Sequence, residues 1–292
     1  MNKFFSRKDP AMRISIDTML GNLLLSLGKA AVGFAAHSGA LISDAVHSAS
    51  DVGSTLIVMI GLRMSGKEAD PDHPYGHERF ECVCSGLLAM LLMLTGLAIG
   101  KGVVEQLMSG AAIPMPGVLA LVMAVVSIIA KEIMYRCTIR VAKQLNSQSL
   151  KADAWHHRSD ALSSIGSFAG ILGARLGFPQ ADAIASIIIC LFILKVAYDI
   201  LRDSLRGMVD SACDEETSKK MADVISAVDG VKRIDLLNTR LFGTRIYVDV
   251  EIAADSTLTL QQAHRIAENV HDAVEQAFGD VKHCMVHVNP LD

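Results

Sequence analysis

Charged side chains are scarce in this chain of 292 residues, since Asp, Glu, Lys and Arg together make up only 20% of it. Aromatic residues contribute another 5%, whereas hydrophobic residues as a whole reach 51%. This balance excludes an intrinsically disordered chain, which needs low hydrophobicity and high net charge. The formal net charge of -4 excludes the basic surface that binds nucleic acid. Six cysteines are too few for a disulfide scaffold.

Long apolar segments recur through the first two thirds of the chain, and the mean hydropathy is +0.37. Residues 83–100 and 112–130 carry no charged side chain. Each is long enough to cross a bilayer, which takes about 20 residues. Four further apolar segments are interrupted by polar residues and cover 13–36, 40–62, 153–176 and 181–202. Polar side chains inside a span face the protein interior or a cavity, so we predict six transmembrane helices.

Basic residues are concentrated on one side of the predicted membrane. They precede the first span, follow the sixth, and lie between spans two and three and between spans four and five. The opposite loops hold little beyond Lys101 and Arg175. The positive-inside rule therefore places both termini in the cytoplasm. Short cytoplasmic loops and the lack of a transit peptide predict a bacterial plasma membrane.

The composition changes after Arg206 to that of a soluble domain. Apolar periodicity predicts an amphipathic helix over 214–228 and a second helix over 258–278. Strands are predicted at 231–241, 245–252 and 281–288, of which the second alternates apolar and polar residues. The predicted order is αββαβ, an α+β domain. We expect a transmembrane domain over 1–206 and a cytoplasmic domain over 207–292.

Two predicted spans each carry one histidine and one aspartate four residues apart. His47 and Asp51 lie in span two, and His156 and Asp160 lie in span five. Residues at positions i and i+4 share one helical face. Two such helices facing each other offer two imidazoles and two carboxylates, which is a four-coordinate site for Zn²⁺ or a similar divalent ion. A bound metal also offsets the cost of carboxylates in hydrocarbon.

Two further groups of polar residues lie near this predicted metal site. Asp153 and His157 form another i, i+4 pair in span five, where Asp153 is either an outer guide for ions or a solvated cap. The loop between spans two and three contains Asp70, His73 and His77. These three are either ligands of a cytoplasmic metal site or part of a solvated polar loop.

The whole pattern resembles the cation diffusion facilitator family. The matching pieces are H-S-x-x-D in span two, D-x-x-H-P-Y-G-H-E-R in the loop and H-x-x-x-D in span five. The six spans and the αββαβ domain complete the resemblance. It implies a homodimer that exports divalent metal from the cytoplasm against protons. It also implies that His47, Asp51, His156 and Asp160 form the transport site, and that the loop histidines and Asp70 form a second site.

The resemblance extends to the transported ion and to the C-terminal domain. Two His and two Asp are typical of zinc-preferring members, so Zn²⁺ is expected. The flanking sequence is also similar to bacterial iron and manganese exporters, which keeps Fe²⁺ and Mn²⁺ as alternatives and Cd²⁺ as a further substrate. Family positions for metal in the C-terminal domain correspond to Asp249, His264 and His287. His283 and Cys284 are nearby alternative ligands, whereas His271 is expected to be a solvated helix residue.

Two other classes of function are compatible with a membrane protein that binds metal. A metalloenzyme needs an open coordination position and a general base, and the H-E-x-x-H motif is absent from the sequence. A membrane-bound sensor could bind metal in its αββαβ domain without moving any ion. The quartet inside the spans favours a carrier, with the transported ion as substrate and no resident cofactor or enzymatic activity.

Overall fold

Six long helices form the first part of the computed structural model, which describes residues 9–35, 39–109, 118–175 and 181–291. The chain divides into two compact units, residues 1–204 and 205–292. In chain order the long helices are α1 (Pro10–Ala35), α2 (Gly39–Ser65), α3 (Arg79–Ser109), α4 (Val118–Gln144), α5 (Gln148–Arg175) and α6 (Ala181–Met208).

The helices extend past the apolar segments that predict them. The fourth span is predicted to begin at residue 112, and residues 112–117 lie outside the described part of the structure. Its helix, α4, is described from Val118 and continues past residue 130 to Gln144. Two described helices, Pro10–Ala35 and the stretch Arg79–Gly102 of α3, are long and apolar enough to cross a membrane by length and composition. Other helices, such as α2 and α4, carry charged residues within their length.

Apolar side chains cover much of the outer surface of the helical unit. Leu24 and Phe34 on α1, Leu94 on α3 and Leu191 on α6 are each exposed over more than half of their surface. Large apolar side chains exposed on several helices at once are typical of a surface that contacts another apolar phase. The outside of this helical unit therefore has the chemistry of a lipid-facing surface.

Helix α5 lies at the centre of the helical unit. It packs against α2, α3 and α4, and α1 packs against α2 and α4. Small residues such as Ala89, Ala152 and Ala197 are buried in the shared core. The carboxylate of Glu81 at the start of α3 accepts hydrogen bonds from the hydroxyls of Ser147 and Ser149, which ties α3 to the start of α5. These contacts fix the helices that carry the predicted metal ligands.

Gly61 marks a close approach of α2 to α3. A Cβ atom at this position would lie 2.7 Å from both Cβ and Sγ of Cys84. We predict that Gly61→Ala lowers the free energy of unfolding by about 1–3 kcal/mol, because overpacking forces the two backbones apart. Thermal melting of the detergent-solubilised protein measures this effect.

Two variants control for the helix propensity of alanine at position 61. Gly53 lies on the same helix, and a Cβ added there would meet no neighbouring atom within 4 Å, so Gly53→Ala should leave the melting temperature unchanged or raised. Adding Cys84→Gly to Gly61→Ala should recover part of the loss. A Gly61→Ala protein that melts like the Gly53→Ala protein would contradict close packing here.

The second unit has the predicted αββαβ order. Its elements are α7 (Glu215–Ser226), β1 (Arg233–Phe242), β2 (Arg245–Asp255), α8 (Leu260–Ala277) and β3 (Val281–Leu291). The strands form one sheet in the order β1-β2-β3, with β1 antiparallel and β3 parallel to β2. The parallel pair requires a crossover between β2 and β3, and α8 provides it.

Both helices of this unit pack on one face of the sheet. Val248 and Val250 of β2 are buried in a cluster with Ile225 of α7 and with Val270 and Val274 of α8. The alternation of apolar and polar residues along β2 predicts this arrangement, because successive side chains point to opposite faces.

Side-chain caps fix where the two helices of the second unit begin. Asp214 caps α7 by accepting a hydrogen bond from the Thr217 amide. Thr259 and Gln262 form a capping box at the start of α8. Each cap satisfies amide groups that have no partner within the helix.

Candidate metal centre

Helices α2 and α5 bring three of the four predicted transport ligands together. Asp51, His156 and Asp160 each offer a ligand atom, and these atoms all lie within 4.8 Å of one another. Nε2 of His156 is 3.3 Å from Oδ1 of Asp51. Asp51 and His156 are buried. The fourth predicted ligand, His47, lies in α2 one turn before Asp51, and its side chain is outside the described part of the structure.

A lysine from a third helix joins these carboxylates. Nζ of Lys131 in α4 is 2.5 Å from Oδ2 of Asp51 and 2.9 Å from Oδ2 of Asp160. Lys131 is only 3% exposed, and Asp51 only 1%. Two carboxylates so close together repel each other strongly in a medium of low dielectric constant, and a cation between them removes that repulsion. The ammonium group therefore neutralises part of the charge that a metal ion would otherwise meet.

Lys131 is not among the residues predicted from the sequence, although a signal for it is present. The residue directly follows the uncharged segment 112–130, where it is easily taken for a charge at the end of a span. The structure continues α4 as a helix past this residue, so the lysine lies well inside the helix rather than at its end. A charge inside a membrane helix needs a partner, and the predicted ligands Asp51 and Asp160 are candidates for that partner.

A cavity of about 380 Å³ adjoins the carboxylates. Its lining includes Lys29, Ser48, Ser127, Ser163 and Ser164 in addition to Asp51, Lys131 and Asp160. Nζ of Lys29 donates a hydrogen bond of 2.8 Å to the hydroxyl of Ser48, which joins α1 to α2. A water molecule takes about 30 Å³ in the liquid, so the cavity has room for a partly hydrated divalent ion.

The second i, i+4 pair of α5 is fully buried, which excludes the alternative of a solvated cap for Asp153. Nε2 of His157 is 3.5 Å from Oδ2 of Asp153. The hydroxyl of Thr55 in α2 donates to Oδ1 of Asp153 at 3.4 Å. The burial has a simple cause, because α5 is packed between α2, α3 and α4.

The loop between α2 and α3 gathers its three predicted ligands. Asp70, His73 and His77 have ligand atoms within 4.8 Å of one another. Oxygen atoms of Asp70 are 3.4 Å from Nδ1 of His73 and 3.4 Å from Nε2 of His77. His77 is buried, and its Nδ1 lies 3.1 Å from the carbonyl oxygen of Glu68.

The backbone of this loop is shaped by a turn. The amides of Asp70 and His73 each bond the carbonyl of the other residue. Gly76 then takes a φ of 98°, which a residue with a side chain rarely adopts. This turn brings His77 back toward Asp70.

The charge of Asp70 is stabilised by its neighbours. Hydrogen bonds from Lys67 and from the His73 amide hold the pKa of this carboxyl well below its usual range. Asp70 is therefore ionised at neutral pH and offers a full negative charge between two imidazoles. Metal ligands must be deprotonated, so the carboxylate is ready to bind a cation without first losing a proton.

We predict that Asp70→Asn weakens metal binding at the loop about tenfold or more, because it removes the anionic ligand shared by the two histidines. Equilibrium dialysis of the purified protein with Zn²⁺ should show one weaker class of sites. Asp72→Asn, two residues away in the same loop, should bind as the unmodified protein does. Equal binding by both variants would show that the loop holds no ion.

The structure does not bring the predicted C-terminal ligands together. Among the described residues, no group with ligand atoms within 4.8 Å includes Asp249, His264 or His287. Asp249 lies on the exposed face of β2 and pairs with Met285 of β3 rather than with His287. His264 is on α8, which packs on the opposite face of the sheet and places this histidine 3.4 Å from Glu268.

His271, which its sequence position predicts to be a solvated helix residue, makes two contacts within the protein. Its Nδ1 donates a hydrogen bond of 2.8 Å to the carbonyl oxygen of Cys284, and its Nε2 is 3.2 Å from Oε1 of Glu275. The packing of α8 beside β3 places these partners next to the ring. The side chain is still 33% exposed, so His271 is partly solvated and partly bonded to the protein.

Two family models match the chain and together cover most of it. Residues 15–209 match the cation efflux transmembrane domain. Residues 213–291 match the cytoplasmic domain of cation efflux proteins. The protein belongs to the cation diffusion facilitator family. Its helical part is therefore the transmembrane domain of an integral membrane protein.

Full-length relatives agree with this family. An uncharacterized transporter of Methanocaldococcus jannaschii is 37% identical over 275 residues, which cover 94% of this chain and 96% of that protein. The manganese efflux system protein MneP of Bacillus subtilis is 32% identical over 291 residues, covering 97% of each chain. A cadmium form of the MamM C-terminal domain is 27% identical over 27% of this chain and 96% of that chain, with a TM-score of 0.26.

Membership of the cation diffusion facilitator family confirms two predictions made from sequence. The first is the family itself, and the second is the helical membrane domain followed by an α+β domain. Members of the family are cation transporters and not enzymes, which agrees with the carrier expected from the sequence.

Proposed function

We propose that this protein exports a divalent transition-metal ion from the cytoplasm in exchange for protons, by alternating access. The observation that supports the proposal is the meeting of Asp51, His156 and Asp160 beside a cavity between helices that is also lined by Lys131 and several serines. Oxygen and imidazole donors of this kind suit first-row divalent ions. In this proposal His47 is the fourth ligand, and residues 1–206 carry out transport.

Lys131 has a defined part in the proposed cycle. Its ammonium group lies between the two carboxylates that a metal ion would bind. A divalent ion that binds the Oδ2 atoms has to displace this group, since both cations then need the same oxygen atoms. Lys131 then acts as a tethered counter-ion that holds the empty site together and weakens metal binding enough for the ion to leave.

Proton coupling follows from competition at the same ligands. Metal and protons bind the same lone pairs of the imidazoles and carboxylates, so binding one releases the other. The cytoplasm-facing site takes up the ion, a rocking movement of the helices exposes it to the far side, and protons replace it there. A pH gradient then drives export.

Zn²⁺ is the first candidate for the transported ion. The proposed site combines two imidazoles with two carboxylates, a set of borderline and hard donors that zinc accepts in tetrahedral geometry. Mn²⁺ is the second candidate, because the relative MneP is named a manganese efflux system protein. The three described donors, two carboxylates and one imidazole, are compatible with Mn²⁺ as well, and His47 as a second imidazole shifts the set toward Zn²⁺.

The remaining predicted features belong to the same proposal. The loop site of Asp70, His73 and His77 collects ions on the cytoplasmic side, where both chain termini also lie. Residues 207–292 regulate transport and hold a homodimer together in the bacterial plasma membrane. Support comes from the match of this part to the cytoplasmic domain of cation efflux proteins.

Flux of each ion in proteoliposomes tests the choice of substrate. Uptake of Zn²⁺, Mn²⁺, Fe²⁺ and Cd²⁺, each offered alone, is recorded under an imposed pH gradient. The proposal expects Zn²⁺ to be transported, and excess of another transported ion to slow Zn²⁺ uptake. Transport of Mn²⁺ with no transport of Zn²⁺ would select the second candidate. A protein that binds metal and transports no ion would be a sensor, contrary to the proposal.

A further inference from the structure

We infer that His271, Glu275 and His283 form a divalent-metal site in the C-terminal domain, distinct from the transport and loop sites. These residues have ligand atoms within 4.8 Å of one another. None of them belongs to the set Asp249, His264 and His287 that the family resemblance implies. The site adds a place for metal sensing to the proposed transport function and stands independently of it.

The three ligands come from two elements that meet at one edge of the domain. His271 and Glu275 are one turn apart on α8, and His283 is near the start of β3. Oε1 of Glu275 is 3.2 Å from Nε2 of His271 and 3.6 Å from Nδ1 of His283. The two imidazole rings meet edge to face with centroids 5.4 Å apart. The three donor groups therefore converge on one small volume.

Hydrogen bonds to the backbone of Cys284 orient two of the ligands. Nδ1 of His271 donates to the Cys284 carbonyl oxygen at 2.8 Å. The Cys284 amide donates to Oε1 of Glu275 at 3.2 Å. Metal-ligating histidines commonly donate their second ring nitrogen to a carbonyl in this way, which fixes the tautomer and the ring orientation. The Nε2 atom of His271 is therefore the nitrogen that would face a bound metal.

With this tautomer, the contact between His271 and Glu275 requires a cation. A neutral imidazole that donates from Nδ1 presents a lone pair at Nε2. That lone pair faces the carboxylate oxygen of Glu275 at 3.2 Å, so two acceptors oppose each other. A proton on Nε2 or a metal ion between the two atoms resolves the conflict. A metal ion also recruits His283, which a single proton on His271 does not.

The donor set and exposure indicate which ion binds. Two imidazole nitrogens and one carboxylate oxygen form a set that suits Zn²⁺, with water in the remaining position. The side chains of His271 and Glu275 are about one third exposed, and that of His283 is 46% exposed. The site is therefore open to ions in solution. A bound ion would join α8 to β3 and stiffen this edge of the domain.

Histidine modification of the full-length protein in detergent tests this site directly. Diethyl pyrocarbonate acylates accessible imidazole nitrogens, and peptide mass spectrometry follows each histidine separately. With Zn²⁺ at about ten times its dissociation constant, the site is about 90% occupied, and modification of His271 and His283 should slow about tenfold. His264 is on the same helix outside the site, and its modification should slow far less.

Two glutamate variants separate a metal site from a hydrogen-bonded cluster. Glu275→Gln should abolish the protection of both histidines by Zn²⁺. Glu268→Gln, which alters the partner of His264 on the same helix, should retain it. Retention of protection in Glu275→Gln would overturn the assignment. Lack of protection in the unmodified protein at millimolar Zn²⁺ would also overturn it and leave the proton as the bridging cation.

The same assay distinguishes this inference from the transport proposal. Asp160→Asn, which removes a proposed transport ligand, should leave the protection of His271 and His283 unchanged. Loss of flux in Asp160→Asn with protection retained supports both conclusions. Protection that disappears with Asp160→Asn would contradict an independent site in the C-terminal domain.

Discussion

Asp51→Asn is expected to reduce metal flux at least about a hundredfold, because Asp51 contacts both Lys131 and His156 in the centre. Its Oδ2 atom is 2.5 Å from Nζ of Lys131, and its Oδ1 atom is 3.3 Å from Nε2 of His156. The amide keeps the shape of the side chain and removes its charge. Loss of an anionic ligand also leaves Lys131 more strongly bound to Asp160, which opposes metal entry. Mutation of residues that only support the metal ligands already costs about 10–100-fold in metal affinity, so loss of a ligand should cost at least as much.

Metal uptake into proteoliposomes measures the effect of Asp51→Asn. Asp203→Asn is a matched control, since Asp203 also pairs with a lysine, Lys151, at 3.3 Å. That pair is nearly half exposed, and exposed ion pairs contribute little. The control should therefore transport at the rate of the unmodified protein. Comparable flux in Asp51→Asn and Asp203→Asn would remove Asp51 from the transport site.

Lys131→Met is expected to bind metal about tenfold more tightly or better and to release it more slowly. The methionine fills a similar volume without the ammonium group that competes for Asp51 and Asp160. With that competitor removed, the two carboxylates have only metal ions or protons to neutralise them. Tighter binding in the ground state slows a carrier that must release its ion, so flux should fall as affinity rises.

Isothermal titration of the purified variant with Zn²⁺ measures this affinity, and proteoliposome flux measures turnover. Lys143→Met removes an exposed lysine from the last turn of the same helix and should change neither quantity. Lys131→Arg keeps the positive charge and should bind metal no more tightly than the unmodified protein. Weaker or unchanged binding in a folded Lys131→Met protein would show that Lys131 is a structural partner and not a competitor.

Local patterns predict the fold well in both domains. Apolar runs locate the membrane helices because a bilayer-spanning segment has to be long and apolar. The alternation around Val248 and Val250 predicts β2, because one face of that strand is buried against helices. Spacing along a helix also predicts that His156 and Asp160 share a face.

Contacts between distant elements could not be predicted in the same way. Lys131 and Asp51 are 80 positions apart, and neither position alone shows that α4 lies beside α2 and α5 at this level. His271 and His283 are brought together by the packing of α8 on β3. The sequence shows a lone histidine on a polar helix, for which solvation is the ordinary outcome. Tertiary packing decides both cases.

Simultaneous recording of metal and proton movement tests the central claim most directly. Proteoliposomes loaded with a pH indicator and a Zn²⁺ indicator report both ions in one experiment. The proposed antiport predicts Zn²⁺ entry and proton exit in a fixed ratio, with both signals lost in Asp160→Asn. Zn²⁺ entry without proton exit, or equal signals in the unmodified protein and Asp160→Asn, would contradict a proton-coupled carrier built on these residues.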